Sequence, residues 1–177
     1  MLKIAGLGVH PIQFGVKGDD ERIRTLVGGF KSWLDAERDP SRFAVRDDDP
    51  EQWKRRVGID GWPEGEKQVE LLAVNFGNPL PNYAALLNEV NTDPALGDCK
   101  KGGFPHLATH FSIDKADALH EQGIPWLEVT DENSLWRDDD GSLYAPFLYC
   151  DPDYRSLNAC WVGSKRGAVD WFLLCRE

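Results

Sequence analysis

Roughly the last fifty residues alternate short runs of β-forming side chains with compact turn clusters, and this pattern constrains the fold more than any other stretch of the chain. SLWR, DDDG and SLYAPFLYC read as a hairpin, and its Asp140-Gly141 pair suits a type I′ turn because both turn positions need positive φ. DPDY then turns the chain into LNACWVGS, and KRG turns it again into AVDWFLLC, so successive strands are expected to pair as an antiparallel meander. Pro146 removes a ladder donor, which predicts an edge position or a bulge for its strand. The fold class expected is α+β: a single domain over residues 1–177, mainly antiparallel sheet with a C-terminal β-meander packed by two or three helices.

Upstream the pattern is mixed. Residues 2–8 (LKIAGLG) predict a first strand, with His10-Pro11 as a structural turn after it. GDDERIRTLVGGFKSWLDAERDP predicts a helix with one apolar face of Ile23, Leu26, Val27, Phe30, Trp33 and Leu34; Asp19, Asp20 and Glu21 stand at the positive end of its dipole, and Pro40 stops it. Gly28 and Gly29 inside that helix cost about 1 kcal/mol each relative to Ala, which points to a close backbone approach or a kink. Residues 42–65 read as loop with short strands. QVELLAVNF (68–76) predicts a strand, and Tyr83, Leu86, Leu87 and Val90 share one face of a following helix. Residues 93–106 collect Gly, Pro and charge, and are expected to form the longest exposed loop, where function is most readily placed. Ser112 is positioned to cap a second short helix, IDKADALHEQ, which Gly123 ends before the strand IPWLEV.

At 177 residues with 41% hydrophobic side chains and seven Trp, the chain is too rich in core formers to be disordered. Thirty acidic against twenty basic residues leave a net charge of −10, which disfavours nucleic acid and anionic lipid and favours a basic partner, although solubility alone accounts for the same charge. MLKIAGLGVHPI lacks the apolar core of a secretory signal, and no segment approaches the length of a membrane span. A cytoplasmic protein is expected, with Cys99, Cys150, Cys160 and Cys175 reduced.

Cys99, His106 and His110 have the spacing of a metal set, but HLATH lacks the Glu of HExxH and no fourth ligand is indicated. Lys100 and Lys101 beside Cys99 would lower its pKa, with His106 or His10 as base, which defines an alternative Cys-His enzyme site for a hydrolase or transferase. Gly6, Gly8 and Gly15 complete neither GxGxxG nor a P-loop, and Asp138-Asp139-Asp140-Gly141 lacks the alternation of a calcium loop; no cofactor is expected.

The remaining signal is acidic and aromatic. Asp131, Glu132, Asp138, Asp139, Asp140, Asp151 and Asp153 are expected to form one rim at the turn end of the sheet, with Trp136 among the aromatic side chains beside it. The leading expectation is a cytoplasmic binding protein that neutralises a macromolecule with a basic surface, such as an immunity protein to a bacterial toxin or a phage-encoded inhibitor of a host defence protein.

Overall fold

The computed structural model describes residues 1–15, 43–45, 62–111, 113–137, 140–151 and 154–177. The helix expected over residues 19–40, most of the 42–65 segment, Ser112, Asp138, Asp139 and Asp153 lie outside the described residues.

The described chain is a mixed α/β structure built on a large, mostly antiparallel sheet. Its strands are β1 (Lys3–Gly15), β2 (Phe43–Val45), β3 (Gly65–Asn75), β4 (Lys100–Lys101), β5 (Trp126–Val129), β6 (Trp136–Arg137), β7 (Leu143–Asp151), β8 (Tyr154–Trp161) and β9 (Trp171–Arg176). They run in the order β1-β3-β9-β5-β7-β8-β2, with β4 beside β9 and β6 beside β7. The helices are α1 (Tyr83–Thr92), α2 (Phe104–Leu107) and α3 (Ile113–Glu121).

β1 is longer than the expected 2–8, because His10 and Pro11 continue the strand opposite Val69 and Gln68. Among the described residues β3 is its one sheet neighbour, so Pro11 sits on an edge strand that can spare an N–H. A bulge between Gly6 and Gly8 shifts the register, after which Ile12 and Phe14 are buried.

The β7–β8 hairpin forms as expected, and β6 pairs antiparallel with the start of β7. β6 pairs Arg137 with Leu143, and Asp140 and Gly141 lie in the segment between them, with Gly141 at φ +88°. Pro146 lies on an interior strand, contrary to the edge expectation, yet the ladder has a gap there. β5 pairs β7 at Phe147 to Tyr149 and β6 pairs it at Leu143 and Tyr144, so neither neighbour calls on the missing N–H.

The meander ends at β8. β9 does not pair with β8; it crosses to the middle of the sheet, antiparallel to β3 and parallel to β5. Phe172, Leu173, Leu174 and Cys175 are all buried, because a central strand covered on both faces accepts an unbroken apolar run.

α1 matches its prediction, with Tyr83, Leu86 and Val90 buried and the Asn82 side chain capping its first turn by accepting from Ala85 N at 2.9 Å. Gly123, at φ +76°, ends α3 as expected. The expected exposed loop at 93–106 is mostly exposed up to Lys100, apart from the buried Leu96, and from Lys101 onward is built into the sheet and core. β4 extends the line of β5 along β9, and at their junction Gly102 N donates to Leu173 O at 3.1 Å while its carbonyl accepts from Thr130 N at 2.9 Å. A Cβ on Gly102 would stand 2.7 Å from Leu173 Cγ, and one on Gly103 2.5 Å from Ser134 Oγ. Close packing therefore explains the glycine pair that follows the lysines.

Among the described residues no helix is long and apolar enough to cross a membrane. All four cysteines are free thiols.

Candidate functional site

Among the described residues the Cys99–His110 segment forms no metal cluster, and the surroundings of Cys99 do not activate its thiol. Lys100 Nζ is held by Glu177 at 2.6 Å and Lys101 Nζ by Glu132 at 2.8 Å, so the two ammonium groups are committed to carboxylates. Burial and the neighbouring Asp98 push the Cys99 thiol up, with Arg176 opposing them, which is the reverse of activation. His106 Nδ1 accepts the Gly103 N–H at 3.0 Å, its ring meets the edge of Phe14, and burial lowers its pKa to about 4. His110 is buried beside His10, with ring centroids 5.6 Å apart, and burial lowers it to about 3. Among the described residues no three His, Cys, Asp or Glu side chains gather closely enough to hold a metal ion, so Cys99, His106 and His110 do not converge as ligands. His10 Nε2 donates to Leu7 O at 2.6 Å and, with His110 and Lys115, lines a cavity of only about 90 Å³.

The acidic residues divide between two ends of the sheet. β5 runs antiparallel to β7, so Asp131 and Glu132, which follow β5, lie at the end where β7 begins after Asp140. Asp151 closes β7 eight residues beyond Leu143, roughly 26 Å away at the rise of a strand. Among the described residues Asp131, Glu132 and Asp140 are therefore separated from Asp151. Trp136, expected beside that rim, is 3% exposed and packs against Tyr144.

Among the described residues the exposed indole is Trp161, at 51%. It stands in register with Tyr144 across the β7–β8 ladder, as Trp136 does across β6–β7. The chain turns immediately after Trp161, and its ring lies back over Gly163, where a Cβ would fall 2.4 Å from the indole. Glycine is what allows the ring to rest on the backbone there.

Trp161 borders an open groove of about 400 Å³ at the Asp131–Glu132 end of the sheet. The start of α1 contributes Tyr83 and Leu87, the turn before β6 contributes Glu132 and Leu135, β7 contributes Leu143, and the end of β8 contributes Trp161, Val162 and Gly163. The lining is predominantly apolar, with the half-exposed Glu132 carboxylate at its margin.

A buried ion pair fixes this wall from behind. Arg166 and Glu128 are both 0% exposed, and Arg166 Nη2 and Nε reach Glu128 Oε1 at 2.6 and 3.1 Å. Arg166 Nη1 donates to the carbonyls of Trp161 at 2.9 Å, Val162 at 3.4 Å and Ser164 at 2.6 Å, and its guanidinium carbon lies 5.3 Å from the centre of the Tyr83 ring. Tyr83 in turn donates its hydroxyl to Val129 O at 3.1 Å. Burial pushes the Glu128 carboxyl up to about 7 against the pull of the guanidinium.

Sequence reasoning read Arg166 only as part of a turn and did not single out Glu128. The available signal was a lone carboxylate inside the apolar strand IPWLEV, since a charge in a central strand requires a buried partner. Comparison with protein-family models, with curated proteins and with solved structures yields no match.

Proposed function

We propose that this chain is an acidic intracellular binding protein that neutralises a basic macromolecular partner, in the manner of an immunity protein or an inhibitor, and that the Trp161 groove is its contact surface. The observation that carries the reading is the half-exposed Trp161, seated on Gly163 and lining a mostly apolar groove that Glu132 also lines. A large aromatic held in place before binding loses little conformational freedom on association, and a carboxylate at the margin orients a cationic partner. The net charge of −10 adds long-range attraction for a basic surface. On this reading Glu132 belongs to the contact surface, with Asp131 beside it and Asp140 at the same end of the sheet, while Asp151 lies at the other end.

The test is capture from native-host lysate with tagged wild type, Trp161→Ala and Glu132→Lys, followed by rebinding of the purified captured protein. A basic protein that rebinds stoichiometrically, loses affinity as salt is raised through the screening range, and is released by both variants is the expected result. Full retention by Trp161→Ala would remove the groove as the surface, and the absence of any protein that rebinds would remove the binding function.

A further inference from the structure

The one charged residue that lines the groove, Glu132, already holds a cation. Lys101 Nζ sits 2.8 Å from the Glu132 carboxylate, and the Lys101 side chain is 27% exposed against 56% for Glu132. Lys101 belongs to β4, which the sheet fixes against β9, so its ammonium reaches Glu132 from one side and leaves much of the carboxylate open to solvent. An exposed ion pair of this kind contributes little net stability, and an incoming cation can replace it at small cost.

Resting on the proposed binding role, we infer that the groove receives a peptide segment in which an apolar side chain is followed by Lys or Arg. The apolar side chain stacks on Trp161 between Leu87 and Val162, and the cation takes the place of Lys101 on Glu132. Three observations converge on this occupant. About 400 Å³ lies within the range of pockets that hold small organic groups, which suits one side chain and its flanking backbone. The lining is mostly apolar, with Asn82 as a neutral polar residue and Glu132 as the one charged residue, so a ligand with an apolar anchor and a single charge matches it. The charge offered there is negative and already attracts an ammonium.

The internal lysine makes the inference testable without knowledge of the natural partner. The probes are three capped dipeptides, acetyl-Phe-Lys-amide, acetyl-Phe-Gln-amide and acetyl-Phe-Glu-amide, titrated into the full chain while the Trp161 indole N–H resonance, assigned with Trp161→Phe, is followed. The expected order of affinity is Lys over Gln over Glu. Glu132→Gln should weaken the Lys peptide about two- to fivefold, and Lys101→Ala should strengthen it by a similar factor, with little change for the Gln peptide. Equal binding of the Lys and Gln peptides, or no effect of Lys101→Ala, would overturn the basic-segment inference while leaving the groove as a binding surface. Preference for the Glu peptide would overturn it in favour of an acidic ligand held by Lys101. An indole resonance that no probe moves would overturn both this inference and the groove reading beneath it.

Discussion

Replacing Arg166 by Met tests the link between the buried pair and the groove. Met fills much of the space of the arginine stem but leaves the Glu128 carboxylate with Trp126 Nε1, at 3.2 Å, as its remaining side-chain donor, and it strips the carbonyls of Trp161, Val162 and Ser164 of their common donor. Breaking a buried ion pair from one side costs about 3–5 kcal/mol. Part of that cost depends on pH. The stranded carboxyl, already pushed up to about 7 with the guanidinium present, rises further without it. Below pH 7 wild type and variant both bind more protons at Glu128 when folded than when unfolded, and this uptake largely cancels in their difference. Above pH 7 the wild-type carboxyl is ionised while the folded variant still holds its proton, so the deficit of the variant grows as the pH rises. Urea unfolding at pH 7 and pH 9 provides the assay, and titration of other groups cancels between wild type and variant. The double variant Glu128→Met/Arg166→Met should regain most of the loss, because it removes the unpaired charge. A single variant within about 1 kcal/mol of wild type at pH 7, or one whose deficit does not change with pH, would refute the assignment of an intact ionic pair.

Gly163→Ala is expected to displace the Trp161 ring, because the new Cβ has nowhere to go but into the indole. Stability should fall by no more than about 1 kcal/mol while binding of any groove ligand drops at least tenfold, read by thermal unfolding and calorimetric titration. His106 and His110, lowered to about 4 and about 3, contribute stability that is complete above the ordinary value of 6.5 and is lost as the pH falls through that interval. Urea unfolding between pH 6.5 and 4 should show a slope approaching about 2.7 kcal/mol per pH unit for two protons, reduced by the opposing uptake at Glu128, and most of it should disappear in a His106→Gln/His110→Gln variant. The thiols should be sluggish at neutral pH. Burial pushes Cys150 up to about 12 and Cys175 up to about 11, and Cys99 and Cys160 are raised as well, so iodoacetamide should label all four more slowly than free cysteine, with Cys150 and Cys175 slowest. Rapid alkylation of Cys99 would restore the case for a cysteine nucleophile.

Local signals in the sequence translated well where structure is decided locally. The β7–β8 hairpin follows from DPDY between two β-rich runs, and α1 from the spacing of Tyr83, Leu86 and Val90 after Asn82. The position of β9 is a non-local outcome, since KRG reads as a tight turn whether the next strand returns to β8 or crosses the sheet. The run WFLLC held the clue. A strand at the end of a meander with one wet face should alternate, whereas four consecutive buried residues belong to a strand covered on both faces. The second half of the loop expected over 93–106 packs inward for a related reason: glycine and proline mark irregular backbone, and irregular backbone packs into a core when its polar groups find partners, as those of Gly102 and Gly103 do in Leu173, Thr130 and His106.

The same distinction governs the candidate site. An acidic and aromatic composition was legible from the residues, but which tryptophan faces solvent depends on which side of the sheet each strand turns outward. Trp136 and Trp161 both stand opposite Tyr144, yet one is 3% and the other 51% exposed. The difference arises beyond the strand pattern. Trp161 ends β8 just where Arg166 gathers the following carbonyls and Gly163 leaves room for the indole to lie down, so the exposed aromatic is presented by a turn whose anchor is a charge pair buried beneath it. A variant that keeps every groove residue but loses Glu128 should therefore impair ligand binding as well as stability. If Glu128→Met/Arg166→Met restored stability while binding stayed weak, the pair would be shown to act on the groove through the backbone it holds; full recovery of both would make it a matter of folding alone.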